Sequence, residues 1–377
     1  MMIRKVPVNV PVFCGNEKKY LMDCIDTGWI SSSGQYIEKF ETEMAKYVGM
    51  KHAVSVCNGT AALEAAVLAL DLEKGSEVIM PDFTIISCAQ AIVKAGLMPV
   101  AVDCNSDDWN MNVSLIEEKI TPKTKAIMMV HIYGLPSDVD AILAIAKKYN
   151  LKVIEDAAEA HGLTYKGKQC GSFGDVSIFS FFPNKHITSG EGGMILTNDD
   201  VYNERLRKIR NLYFDAERRY IHEEIGSNFR MTNMQAAIGL AQLEHIEWTL
   251  KRKRTIAAYY YKELDCLKEF IQLPLQKLPY ADNINWVFGI VVKNSKYTAD
   301  DIMAKLKEVG VDTRHFFYPM HMQPCLLKID GFKEKNQIEN SVSSNIAKYG
   351  FYIPSGVGLS LEDQEYVVKC LKNIFLA

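Results

Sequence analysis

The chain has 377 residues, 48% of them hydrophobic and 24% charged, with a formal net charge of −3. At the usual ~100 to 200 residues per domain that length admits two or three domains. The balance is that of a soluble globular protein, with no basic block for nucleic acid or a charged membrane surface.

The N-terminal stretch MMIRKVPVNVPVFCGNEKKY has no long apolar run behind its basic residues, and no segment approaches the roughly 20 apolar residues of a membrane span. The nine cysteines are scattered, without a CxxC pair or a Cys/His cluster at zinc spacing. A cytosolic protein with reduced cysteines and no metal site is expected.

In chain order, Glu17 to Thr27 reads as a helix, broken by Gly28-Trp29-Ile30-Ser31-Ser32-Ser33-Gly34, where a tryptophan among small polar residues either lines a pocket or packs as a plain turn. His52 to Cys57 is a strand, Asn58-Gly59-Thr60 a turn, and Ala61 to Leu70 an Ala/Leu-rich helix. Such a turn offers free amides at a helix N-terminus, a ready anion site. Next come strand Glu77 to Met80, helix Ile85 to Ala95, strand Pro99 to Asp103, helix Val113 to Ile120, strand Ala126 to Ile132 and helix Asp138 to Tyr149. This alternation predicts an α/β domain with a doubly wound, largely parallel sheet covered by helices on both faces.

From Leu151 to Thr197 one apolar strand ends in Asp156 and a second is followed by Lys185. In open α/β sheets ligands bind beyond the carboxyl ends of the strands. An acid and an amine there suit pyridoxal phosphate: a lysine holds its aldehyde as a Schiff base, and a carboxylate keeps its ring nitrogen protonated. An ordinary buried ion pair is the other reading of these two residues. Gly190-Glu191-Gly192-Gly193 lacks dinucleotide-loop spacing and opens a strand instead of a helix.

Val201 to Asn211 is a basic helix, followed by the aromatic-rich segment Leu212 to Phe229. Thr232 with Gln235 forms a capping box for a long helix that carries the basic run Lys251 to Arg254 out of the large domain. Beyond it, strand Asn285 to Val292, helix Ala299 to Val309, strand Val311 to Phe317, the loop 318–324 and a last helix from Leu361 suggest a small α+β layer. Residues 1–250 are thus expected to form a large cofactor-binding domain with an N-terminal arm, and 251–377 a smaller one.

Taken together, Trp29-Ile30-Ser31, Asn58-Gly59-Thr60, Glu155 to Ala160, Phe179 to Phe182, Asn184-Lys185, Gly190 to Met194, Arg230 to Asn233 with Gln235-Ala236-Ala237, and Pro319-Met320-His321 resemble the pyridoxal-phosphate-dependent nucleotide-sugar aminotransferases of fold type I, especially perosamine-synthase-like members. The resemblance spans nearly the whole chain. It implies that Lys185 carries the Schiff base and Asp156 pairs with the ring nitrogen. Gly59, Thr60 and Ser180 would form the phosphate cup, and Asn233 would reach it from the partner subunit of a homodimer with shared active sites. Amides and hydroxyls suit that role, since they donate hydrogen bonds without adding charge.

The same resemblance places Ala158 on one face of the ring. Glu159 would lie near the ring hydroxyl or the transferred amine, an exposed helix-start glutamate being the alternative. It implies ping-pong transfer from an amino acid, L-glutamate, to a 4-keto-6-deoxy sugar on a nucleoside diphosphate, for surface polysaccharide. Relatives with histidine at the lysine position remove a sugar hydroxyl instead, and Lys185 argues against that chemistry.

Two departures stand out. An aliphatic Ile85 replaces the family's stacking aromatic unless Phe83 turns in, and Asn211-Leu212, Ser227 and Phe229 replace a Gly-Gln pair and tyrosines near the acceptor site. A smaller phosphorylated ketone is therefore an alternative acceptor. Arg314 and His321 are candidate partners for a carboxylate or phosphate, arginine the better one because its fork binds bidentately, and Trp29, Ser31 and Arg230 complete the substrate candidates. His131, His161 and His186 have no partner at metal or triad spacing and read as structural. A catalytically idle protein of this fold acting as a regulator is the reading from another class, and Lys185 with Asp156 counts against it.

Overall fold

The computed structural model describes residues 4–215, 217–218, 220–293 and 297–376. Its N-terminal helices α1 (Glu17–Asp26) and α2 (Gln35–Val48) lead into β1 (His52–Val56), α3 (Gly59–Ala69), β2 (Glu77–Pro81), α4 (Ile86–Lys94), β3 (Met98–Val102), β4 (Thr124–Val130), α5 (Val139–Tyr149) and β5 (Lys152–Asp156). A two-residue hairpin, β6 (Thr164–Tyr165) and β7 (Lys168–Gln169), precedes β8 (Val176–Ser180), β9 (Gly193–Thr197) and α6 (Asp200–Arg210). Strands β2 to β4 are near-continuous apolar runs, as strands buried on both faces must be.

These strands make one seven-stranded sheet in the order β1-β9-β8-β5-β4-β2-β3. Strand β9 runs antiparallel to both neighbours, and the pairs among β2, β3, β4, β5 and β8 are parallel. Apolar cores lie on both faces, one built with α3 and α4, the other with α2, α5 and the later helix α7 (Asn233–Glu244).

Helices α7 (Asn233–Glu244) and α8 (Ile246–Leu264) follow. The Thr232/Gln235 capping box is present. The single long helix expected there is two, because the chain leaves helical geometry at His245 (φ −107°, ψ 10°). The four-stranded sheet β10-β13-β15-β14 comprises β10 (Ile271–Gln272), β13 (Phe288–Val292), β14 (Arg314–His315) and β15 (Gly350–Ile353). A small hairpin, β11 (Lys277–Leu278) with β12 (Ala281–Asp282), sits between β10 and β13. Helices α9 (Ala299–Glu308), α10 (Phe332–Lys335), α11 (Val342–Tyr349) and α12 (Leu361–Phe375) complete the chain. A third core joins α8, α9, α12 and this sheet, and Val6 of the N-terminal arm packs into it.

Two departures from the sequence reading have local causes. Val113 to Ile120 is two 3-10 turns instead of a helix, since only Ile116 in it is buried and a short segment without an apolar face gains too little from packing. Conversely, α2 was not anticipated, although Tyr36, Phe40, Met44 and Val48 form a buried i, i+4 stripe along it. Its N-terminal position is Gly34, and the side chain that accepts the amide of Tyr36 belongs to Asn233, at 3.0 Å.

Candidate active site

A cavity of about 720 Å³ opens where β5 and β8 end and α3 begins, within the range of small-molecule sites. Among its walls are Gly59, Thr60, Ile85, Asp156, Ala158, Glu159, Ser180 and Lys185. Eight residues singled out from sequence are thus brought to one place.

Strand alternation separates two adjacent acids. Side chains of consecutive strand residues point to opposite faces, so Glu155 and Asp156 have different fates. Glu155 is fully buried and accepts hydrogen bonds from His131 Nε2 (2.9 Å), the amides of Gly171 (2.5 Å), Phe173 (2.7 Å) and Gly174 (3.0 Å), and the Ser177 hydroxyl (2.9 Å). His131 therefore has a carboxylate partner, a pairing its sequence spacing did not reveal. Cys170 lies near both, but the donors already on Glu155 make this a structural knot holding the loop after β7.

Asp156 faces the cavity at 2% exposure. One oxygen accepts the Ala158 amide at 2.9 Å and the other accepts the thiol of buried Cys88 at 3.3 Å. Burial raises its pKa above the ordinary aspartate value, while the Ala158 amide, Cys88 and Lys185 pull it back. Cys88 itself is held as a thiol, because burial and the neighbouring carboxylate push it well up.

Lys185 ends a tight turn, its amide bonded to the Phe182 carbonyl at 2.9 Å. Its Nζ stands 3.7 Å from Glu159 Oε1 and 3.8 Å from the centre of the Trp286 ring. Glu159 is buried, so it is not an exposed helix-start residue, and its other oxygen accepts the Tyr133 amide at 2.9 Å. Burial pushes the glutamate up and the lysine down, each toward its neutral form, and their mutual attraction opposes both shifts.

The remaining wall of the site is a cradle in which two glycine positions leave no room for a side chain. Asn58 caps α3 by accepting the Ala61 amide at 2.8 Å, and the helix start offers its other first-turn amides to an anion. A Cβ on Gly59 would lie 2.6 Å from Ser180 Cβ, and one on Gly193 would lie 2.5 Å from the Asn58 carbonyl oxygen. Thr60 Oγ1 meets Ser87 Oγ at 2.9 Å. Ile85 lines the cavity, whereas Phe83 is fully buried among Tyr133, Phe316 and Phe317.

Other candidates lie elsewhere. Trp29 and Asn233 line a second hollow of about 360 Å³, and Asn233 donates its amide side chain to the Trp29 carbonyl (2.7 Å) and its backbone amide to the Ser31 carbonyl (2.6 Å). Arg230 is tied to Asn228 (2.7 Å) and to Asn211 (3.3 Å), so the unusual Asn211 is engaged beside the cavity wall formed by Asn228 and Phe229. Arg314 pairs with Asp312, and His321 with buried Asp82 at 2.7 Å. Cavity residues that sequence reasoning missed include Trp286, Phe317 and Tyr352. They come from the smaller sheet and its connections, and no local pattern marks them.

An anion cradle, a buried carboxylate and a buried amine around one cavity fit pyridoxal phosphate, and this fold with this site defines a pyridoxal-phosphate-dependent transferase of fold type I. A family profile matches residues 14–372. The chain belongs to the DegT/DnrJ/EryC1/StrS aminotransferase family, whose members depend on pyridoxal phosphate. It is 41% identical to the GDP-perosamine synthase of Escherichia coli O157:H7 over 373 residues, 99% of each chain. It is 40% identical to that of Vibrio cholerae over 374 residues, covering 98% of this chain and 99% of the other. The solved structure of S. venezuelae DesV superposes with a TM-score of 0.87 at 31% identity, covering 96% and 95% of the two chains. Among the described residues no helix is long and apolar enough to cross a membrane.

Proposed function

We propose that this aminotransferase moves an amino group from L-glutamate to a 4-keto-6-deoxy sugar carried on a nucleoside diphosphate, in the cytoplasm, for surface polysaccharide. The observation that carries the proposal is the meeting of Lys185, Asp156 and Glu159 in one cavity beside the Gly59/Ser180 cradle. The acceptor class rests on the names of the relatives that are 40–41% identical.

Pyridoxal phosphate, when bound, supplies an aldehyde for the amine and a ring that takes up electrons. Gly59, Thr60 and Ser180 would hold its phosphate by hydrogen bonding, with Ala158 and Ile85 as the apolar walls beside it. Asp156, its oxygens oriented by the Ala158 amide and the Cys88 thiol, would keep a proton on the ring nitrogen. Lys185, its amine drawn toward the neutral form by burial, would accept and return a proton at its Nζ, and the Glu159 carboxylate 3.7 Å away would balance the positive charge of the ammonium so formed.

The enzyme works as a homodimer, with Asn233, Trp29 and Ser31 of one chain completing the site of the other. This rests on their absence from the cavity wall of their own chain and on the exposed apolar residues Met22, Ile25, Trp29 and Ile30 along α1 and the loop after it. Arg230, bonded to Asn228 of the cavity wall, would bind substrate, with Arg314 and His321 as the further candidates. The division into two domains falls near residue 250, and the nine free cysteines suit a reducing compartment.

Purified enzyme incubated with L-glutamate and a panel of GDP-, dTDP- and UDP-linked 4-keto sugars and small keto phosphates, with mass detection of amines, tests the acceptor. Lys185→Ala serves as the inactive control. Product from keto phosphates alone rejects the sugar acceptor. A purified mixed dimer of Lys185→Ala and Asn233→Asp chains regains activity if sites are shared, since one site then carries neither lesion. It stays inactive if they are not.

A further inference from the structure

Trp286 lies just before β13, yet it forms a wall of the cavity at the ends of β5 and β8. It is 5% exposed and anchored from several sides. Its indole N–H donates to the carbonyl of Asn184, the residue before Lys185, at 2.9 Å. Its own carbonyl accepts from buried Lys253 Nζ at 2.9 Å, and that amine also donates to the Ser355 carbonyl at 2.6 Å. The turn leading to it is seated on Gly134, where φ is +100° and an added Cβ would come within 2.8 Å of the Trp286 amide. The ring thus has little freedom, and Lys185 Nζ rests 3.8 Å from its centre, well inside the roughly 6 Å reach of a cation–π contact.

We propose that Trp286 is a positioning residue for Lys185, holding the amine of that lysine over the negative face of its ring and keeping it protonatable despite its burial. The proposal rests on the reading of Lys185 as the cofactor-linking amine. Burial alone favours the neutral amine, and the ring face favours the ammonium. The other groups facing Lys185 are the carboxylates of Glu159 and Asp156, the thiol of Cys88 behind Asp156, and the imidazoles of His161 and His186, which burial keeps neutral. Glu159 meets the amine from one side at 3.7 Å, and Trp286 bounds it with a ring face whose position depends on the seating of the smaller sheet.

The test uses cofactor-free protein. The reactivity of Lys185 toward acetic anhydride is measured against pH by peptide mass spectrometry in wild type, Trp286→Phe and Trp286→Leu. The labelling midpoint should fall by about one pH unit in the leucine variant, the scale of a desolvated cation–π contact, and by less in the phenylalanine variant. An unchanged or raised midpoint in Trp286→Leu overturns the proposal, as does an equal fall in both variants. If the leucine variant does not fold, Trp286→Phe decides alone, since a midpoint equal to wild type then refutes it. Borohydride trapping of pyridoxal phosphate is run on the same proteins. Trapping at another lysine overturns the reading of Lys185 itself, whereas trapping at Lys185 with unshifted midpoints overturns only the role of Trp286.

Discussion

Replacing Glu155 by glutamine should be among the most damaging single changes outside the cavity. The glutamine amide group must stand where one carboxylate oxygen now accepts. In one orientation its NH2 meets the Gly171 amide and His131 Nε2, and in the other the amides of Phe173 and Gly174 and the Ser177 hydroxyl. His131 cannot readily change tautomer, because its Nδ1 accepts the Ser137 amide at 3.2 Å. At least two buried donors therefore lose their acceptor, at roughly 1 to 3 kcal/mol each, and the charge-assisted character of the remaining bonds is lost as well. A loss of about 3 to 6 kcal/mol follows, a large share of the ~5 to 15 kcal/mol that holds a native protein together.

Urea unfolding of cofactor-free wild type and Glu155→Gln, followed by far-UV circular dichroism, measures it. The pH dependence gives a second check. Burial pushes the Glu155 carboxyl up, but its hydrogen bonds from His131, Gly171 and Phe173 more than offset this and leave it below the ordinary glutamate value. A lowered folded-state value contributes stability that is present above the unfolded value near 4.3 and lost as pH falls through the folded one, so the advantage of wild type should shrink below about pH 4. A loss smaller than about 1 kcal/mol at neutral pH refutes the reasoning, because acceptor loss at buried donors has a floor near that value.

Asp156→Asn should leave the fold intact, since its amide oxygen can still accept from Ala158, and should reduce turnover at least ~100-fold because a neutral amide does not hold a ring proton as a carboxylate does. Turnover near that of wild type, measured alongside circular dichroism, would remove Asp156 from the mechanism. Lys253 is buried against two carbonyls, and burial lowers its pKa to about 7. The unfolded chain, with a lysine value near 10.4, then binds more protons than the folded one between about pH 7 and 10, so native stability rises with pH across that window by up to ~1.4 kcal/mol per unit. Lys253→Met should lack this slope, and parallel stability curves for the two proteins would show that Lys253 is not depressed.

What the chain reveals without its tertiary structure is what neighbouring residues decide among themselves. Asn58 and the Thr232/Gln235 pair cap helices within three residues, the apolar runs of β2 to β4 announce buried parallel strands, and Asp156 and Lys185 stand out because one ends a strand and the other follows one. The aminotransferase reading needed only such local motifs in their order along the chain. Tertiary structure decided the rest, for reasons of range. The amide at the start of α2 is capped by Asn233, 197 residues away, so no local signal marked that helix end. Glu155 and Asp156 are chemically alike in the sequence. Their different roles arise because the strand turns one toward the loop at Gly171 to Gly174 and the other toward the cavity. Trp286 reaches Lys185 only because the smaller sheet docks on the larger one, through a packing contact for which no spacing rule exists.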